Sequence, residues 1–127
     1  MRVLIVDDSR ITRRIIVNAL KQIGHDDVLE AGDGVEALER VAQGTPDLVV
    51  TDWSMPVMDG HDFVKALRAQ PHMRTVPVLM VTARAERSDV VLALQAGVND
   101  YIVKPFTAET LKEKIETLMS KTAVTPA

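Results

Sequence analysis

Short apolar runs unbroken by polar residues recur along this chain: Val3–Val6, Leu48–Val50, Val78–Val81 and Tyr101–Val103, with a weaker one at Val28-Leu29. A strand with one wet face alternates apolar and polar residues, so runs without alternation predict strands buried on both faces. Helical patterns lie between them. Ile11, Ile15, Ala19 and Ile23 step by four and stop at Gly24; Val35, Leu38 and Val41 step by three before Gly44 and Pro46. Phe63, Val64 and Leu67 precede Pro71, Val90, Val91 and Leu94 precede Gly97, and Leu111, Ile115 and Leu118 form the last stripe, with Thr107 as its expected N-cap. Strands that alternate with helices at this spacing predict an α/β, doubly wound parallel sheet of five strands, with five helices covering both faces through right-handed crossovers.

At 127 residues the chain is long enough to bury roughly two-thirds of its unfolded surface in one core. Residues 1–121 are expected to form that domain and 122–127 a short C-terminal tail. The absence of cysteine excludes disulfides, thiolate metal sites and thiol nucleophiles, and accords with a cytoplasmic location. Val3–Val6 runs straight into Asp7-Asp8, far too short a stretch for a signal peptide or membrane span. A net charge of −3 argues against nucleic acid as a direct partner, because phosphate contacts need a concentrated basic surface. Arg10, Arg13 and Arg14 are read as a solvated helix face.

In such a sheet ligands bind beyond the carboxyl ends of the strands. The first strand is followed by Asp7-Asp8, the third by Asp52, the fourth ends in Thr82-Ala83 and the fifth runs into Lys104-Pro105. With strand order 2-1-3-4-5, the reversal of winding falls between strands 1 and 3, where the three aspartates sit. Each residue has a plain reading alone: Asp7 or Asp8 as a helix cap, Asp52 in a turn, Thr82 in a loop, Lys104 at a solvated strand exit. Their arrival at one edge of one sheet is what singles them out.

Three carboxylates in one cleft repel by up to ~4 kcal/mol per close pair at about 4 Å and an effective dielectric of about 20. Lys104 offsets part of this, and a hard divalent cation would offset more. His25, His61 and His72 are scattered rather than at ligand spacing, which favours Mg2+ over zinc. A site with metal, ammonium and hydroxyl suits a transferring phosphoryl group. The loop Asp7-Asp8-Ser9 is neither a P-loop nor a dinucleotide fingerprint, so one of the carboxylates becomes the candidate acceptor, forming an aspartyl phosphate.

The segments "LIVDDS", "VVTDWSMPVMDG", "VLMVTA" and "YIVKPF", in this order, resemble the receiver domains of bacterial two-component response regulators over roughly residues 2–120, and within them most resemble the stand-alone chemotaxis regulators. The resemblance implies a flavodoxin-like fold with Asp52 as phosphoacceptor and a histidine kinase as donor. It implies Mg2+ held by Asp8, Asp52 and the backbone carbonyl of Ser54, with Asp7 acting through water. It also implies phosphoryl contacts from Lys104, the Thr82 hydroxyl and the Ala83 backbone N–H, an inward turn of Tyr101, and a cis bond before Pro105. The resemblance further implies that Ser54 and Arg84 occupy positions that tune dephosphorylation, where the familiar chemotaxis regulators carry a larger amide and an acid.

The function so implied is a switch that performs chemistry only on itself and binds a downstream protein through its fourth helix, fifth strand and fifth helix, around Val90–Tyr101 and Thr107–Glu116. Chemotaxis or flagellar-motor signalling is the first expectation, and a stand-alone or excised receiver of another pathway the second. The expected state is a monomer, with dimerisation on phosphorylation as the alternative. A phosphatase or phosphotransferase with an aspartyl intermediate is the remote alternative: such enzymes want a further acid or base and a lid, and Trp53-Ser54-Met55-Pro56 offers neither.

Overall fold

The computed structural model describes residues 1–123, with side chains through Ser120. Its strands are β1 (Arg2–Val6), β2 (Asp27–Ala31), β3 (Leu48–Thr51), β4 (Val78–Thr82) and β5 (Asp100–Val103). The helices are α1 (Arg10–Gln22), α2 (Gly34–Gln43), α3 (Gly60–Arg68), α4 (Arg87–Ala96) and α5 (Ala108–Ala123), with a 3-10 turn at Pro71–Met73. All four strand pairings are parallel, and the order is β2-β1-β3-β4-β5. The fold is therefore the doubly wound, flavodoxin-like one predicted. The expected tail falls largely on residues 124–127, outside the described residues.

The apolar runs explain the sheet. Successive strand side chains point to opposite faces, and here both faces are covered. Leu4 and Val6 pack with Val49, Met80, Phe63 and Leu67 beneath α2, α3 and α4. Val3 and Ile5 pack with Val50, Leu79, Ile16, Leu20, Leu111 and Ile115 beneath α1 and α5. In β1, β3 and β4 a polar residue at either parity would have faced a core. The edge strands depart from the burial expected of them, since each has a neighbour on one side only: Val28 and Leu29 of β2 are half-buried and Val103 of β5 is exposed. Among the described residues no helix is long and apolar enough to cross a membrane.

Two helical stripes differ from expectation. In α1 the buried residues are Ile16, Ala19 and Leu20, whereas Ile11 is 75% and Ile15 46% exposed. A row of step-four residues drifts by about 40° per step around a 3.6-residue helix, so Ile11 through Ile23 cannot share one buried stripe. In α4 only Asp89 and Ala93 are buried, while Val91 and Leu94 stand 45% and 51% exposed. Apolar residues surround much of α4, so periodicity could not name its inner face. Thr107 does cap the last helix, its hydroxyl accepting from the Thr110 N–H at 3.1 Å.

Candidate functional site

Main-chain bonding carries two aspartates beyond the sheet proper. The Asp7 N–H donates to the Ala31 carbonyl at 3.0 Å and the Asp52 N–H to the Val6 carbonyl at 2.8 Å. Strand geometry thus extends one residue past β1 and β3, and both side chains are buried at the carboxyl edge. Ser9, rather than either aspartate, caps α1 by accepting from the Thr12 N–H at 3.2 Å. Its own N–H donates to Asp7 Oδ1 at 2.8 Å. On the far side the Lys104 N–H donates to the Thr82 carbonyl at 2.8 Å, and the Lys104–Pro105 peptide is cis.

From there Lys104 reaches back across the edge. Its Nζ donates to Asp7 Oδ2 at 3.0 Å and to Asp52 Oδ2 at 2.9 Å. The exposed Asp8 completes a group whose carboxylate oxygens lie within 4.8 Å of those of Asp7 and Asp52. Asp52 Oδ1 accepts the Trp53 N–H at 2.6 Å. Thr82 is buried and its Oγ1 accepts from the Arg84 N–H at 3.4 Å, while Ala83, next to it in the chain, and Ser54, two residues past Asp52, are both exposed. Tyr101, half-buried, donates its hydroxyl proton to the Arg84 carbonyl at 2.7 Å.

Burial pushes the Asp7 carboxyl above its ordinary value, against the opposing pull of the Ser9 N–H and Lys104. Burial alone would lower Lys104, but its hydrogen bonds to Asp52 and Asp7 outweigh it and hold the ammonium above its usual range. Burial likewise raises the Tyr101 phenol, helped by the charge of Asp89. Ionised, the three carboxylates outnumber the one ammonium and leave two negative charges uncompensated. Oxygen donors of this kind at this separation fit a hard divalent cation, which prefers carboxylate and carbonyl oxygens. A second acidic group, Asp59, His61 and Asp62, is already engaged: Asp59 caps α3 through the Asp62 N–H at 2.8 Å, and His61 stacks on Trp53 with ring centroids 5.4 Å apart.

Several neighbours were not legible in the sequence. Arg13 departs from the solvated face expected of it: its guanidinium donates to the Asp7 carbonyl and to Glu30 at 3.0 Å, steadying the turn that carries Asp7 and Asp8. The basic run Arg10–Arg14 contained it but gave no sign of its direction. Gly60 begins α3 against the acceptor loop, where a Cβ would run into the Asp52 carbonyl oxygen and lie 2.9 Å from the Trp53 Cα. The Asp-Gly pair at 59–60 was the available signal. Arg84 places its guanidinium carbon 4.2 Å from the Trp53 ring centroid and its Nη2 2.9 Å from Asp89; nothing in the local pattern joined these three residues.

The arrangement can be set beside known proteins. The family described as the response regulator receiver domain matches residues 3–116. The chain is 50% identical over 121 residues to chemotaxis protein CheY-3 of Vibrio cholerae serotype O1, covering 95% of this chain and 93% of that protein. It is also 50% identical to chemotaxis protein CheY of Pseudomonas aeruginosa, over 95% of this chain and 98% of that one. Among solved structures, the signal receiver domain of a histidine kinase from Syntrophus aciditrophicus superimposes with a TM-score of 0.89 at 32% identity, over 99% of this chain and 95% of that one. Parallel strands in the order β2-β1-β3-β4-β5, an aspartate-rich carboxyl edge and these likenesses agree: the chain belongs to the response regulator receiver domain family and is a CheY-like member of it.

Proposed function

We propose that the chain is a phosphorylation-activated, Mg2+-dependent switch whose acceptor is Asp52, supplied by a histidine kinase. The observation that carries this reading is the buried Asp52 carboxylate, bridged to Asp7 by Lys104 at 2.9 and 3.0 Å. An Asp52 oxygen attacks the phosphorus of a phosphohistidine, the P–N bond breaks, and the imidazole leaves. Lys104 neutralises charge on the transferring group. Asp8, Asp52 and the Ser54 carbonyl would hold Mg2+, with Asp7 acting through water, and the metal supplies Lewis-acid charge compensation when bound. Water later attacks the acyl phosphate, and Ser54 and Arg84, both exposed near the acceptor, govern its access. No substrate other than the donor is turned over.

Phosphorylation adds roughly −1.5 to −2 charge and strong acceptor oxygens. The Thr82 hydroxyl and the Ala83 N–H, at the end of β4, are the donors positioned to answer, with Tyr101 following behind. The readout is the face of α4, β5 and α5, where Val91, Leu94 and Val103 are exposed and available to a protein target in a cytoplasmic pathway. A complete shift from 1:99 to 99:1 needs ~5.5 kcal/mol, so target binding is expected to finish what phosphorylation begins. The pathway, chemotaxis, is proposed from the CheY relatives; the fold alone is shared with receivers in other settings.

Trp53 provides the test. Mg2+ should change its fluorescence and beryllofluoride should change it further, with both second-step response and phosphoryl uptake from a small phosphodonor lost in Asp52→Ala. A full response in that variant would overturn the assignment.

A further inference from the structure

Arg84 is held by groups of quite different character. Its guanidinium lies over the Trp53 ring, 4.2 Å from ring centroid to carbon, and bonds Asp89 at 2.9 Å. Its main chain is pinned separately, the carbonyl accepting the Tyr101 hydroxyl at 2.7 Å. The backbone is thus a fixed pivot, and the side chain, 43% exposed, has room to swing. Trp53 in turn donates its N–H to Asp52, so the cation rests on the residue beside the acceptor. Asp89 sits in the first turn of α4, a helix that among the described residues has no side-chain cap on its N-terminus.

Resting on the phosphoacceptor reading above, we propose that Arg84 is a two-position latch: paired with Asp89 over Trp53 while Asp52 carries only its own charge, and drawn to the phosphoryl group once Asp52 is phosphorylated, freeing the first turn of α4. The two anions compete for one guanidinium. The acyl phosphate carries nearly twice the charge of Asp89 and offers several acceptor oxygens suited to bidentate binding. Asp89 tolerates the loss because the N-terminus of its own helix favours its negative charge. The exchange gives α4 a direct electrostatic link to the acceptor, in addition to whatever Thr82 and Tyr101 transmit. An ion pair of purely structural character would leave phosphoryl-analogue binding at Asp52 unchanged when Asp89 is replaced.

Beryllofluoride in the presence of Mg2+ tests this on the full chain, with the half-saturating concentration read from Trp53 fluorescence. Competition by Asp89 weakens binding, so Asp89→Asn should tighten it by about three- to tenfold, a difference of about 0.7–1.4 kcal/mol. Arg84→Ala should weaken it, and Arg84→Lys should recover part of the loss. Adding Asp89→Asn to Arg84→Ala should change nothing further, because Asp89 acts through Arg84 alone. Asp89→Ser, which keeps a residue suited to the start of a helix, repeats the test with a different side chain, and thermal unfolding of each metal-free variant reports its folding. Unchanged or weaker binding in both folded Asp89 variants, or tightening that persists without Arg84, would overturn the latch. A wild-type chain that gives no response, or an Asp52→Ala variant that gives the full one, would instead remove the phosphoacceptor reading and the latch with it.

Discussion

The neighbouring helices α3 and α4 have nearly the same length and are held in opposite ways. α3 buries Gly60, Phe63, Val64 and Leu67 and is capped by the Asp59 side chain. α4 buries only Asp89 and Ala93 and has no side-chain cap. Its C-terminus is nevertheless fastened: Arg68 of α3 donates to the Gly97 carbonyl at 2.8 Å, to the Met73 carbonyl at 2.7 Å and to Asn99 at 3.0 Å. Gly97 ends α4 in the left-handed region at φ 116°. One helix is therefore a fixed support for the acceptor loop, and the other is tied at its far end and lightly held at the end nearest the site. Mobility on binding is expected where buried apolar contacts are few, and α4 meets that condition at its N-terminus.

The contrast is broken or sharpened most strongly by truncating a core side chain. Phe63→Ala should cost about 3–5 kcal/mol in urea unfolding, whereas Leu94→Ala should stay within about 0.5 kcal/mol; similar costs would dissolve the distinction. At the fastened end, Gly97→Ala forces a Cβ into a left-handed backbone and toward Arg68, 2.7 Å from its Cγ. It should cost about 1–2 kcal/mol and speed amide exchange in the last turn of α4. Removing the α3 cap with Asp59→Ala should cost about 1 kcal/mol, and Glu86→Ala before α4 should cost nothing measurable.

The smallest expected effect concerns the charged edge that α3 helps to support. Burial raises the Asp7 carboxyl in the folded chain, so the unfolded chain loses this proton more readily. The stability tied to the neutral carboxyl is fully present below the ordinary value of 3.8 and is lost as pH rises through the raised folded value. In metal-free buffer at neutral pH, Asp7→Asn should accordingly raise the urea midpoint, and the gain should vanish below pH 3.8. The gain is small because the Ser9 N–H and Lys104 already offset much of the burial. Mg2+ should narrow it further by stabilising the ionised wild type.

The strands were legible because a run such as Val3–Val6 states its environment on both faces at once: every side chain is apolar, and every one is buried. The helices were less so. Ile11 and Ile15 are as apolar as Ile16 and Leu20, and only the sheet's position decides which pair meets the core. At the site, the placement of Asp7, Asp8, Asp52, Thr82 and Lys104 at one edge followed from strand ends alone. Arg13 on the Asp7 carbonyl, Gly60 under Asp52, and Arg84 between Trp53 and Asp89 did not, since each contact joins segments whose approach depends on packing. Val57, at φ 68° in the loop after Asp52, is likewise unforeseeable, a β-branched residue in a region such residues avoid.

By itself, the sequence determined that five short apolar strands alternate with helices, that the sheet is therefore parallel, and that its carboxyl edge gathers acidic, hydroxyl and ammonium groups. Those are consequences of side-chain period and backbone hydrogen bonding, which act over a few residues. Tertiary structure alone decided that the Lys104 ammonium bridges Asp7 and Asp52, that α3 is anchored more deeply than α4, and that the guanidinium of the exposed Arg84 lies over the Trp53 ring. Such contacts join residues tens of positions apart, and their geometry exists only once the two cores have packed and set the distances between the loops.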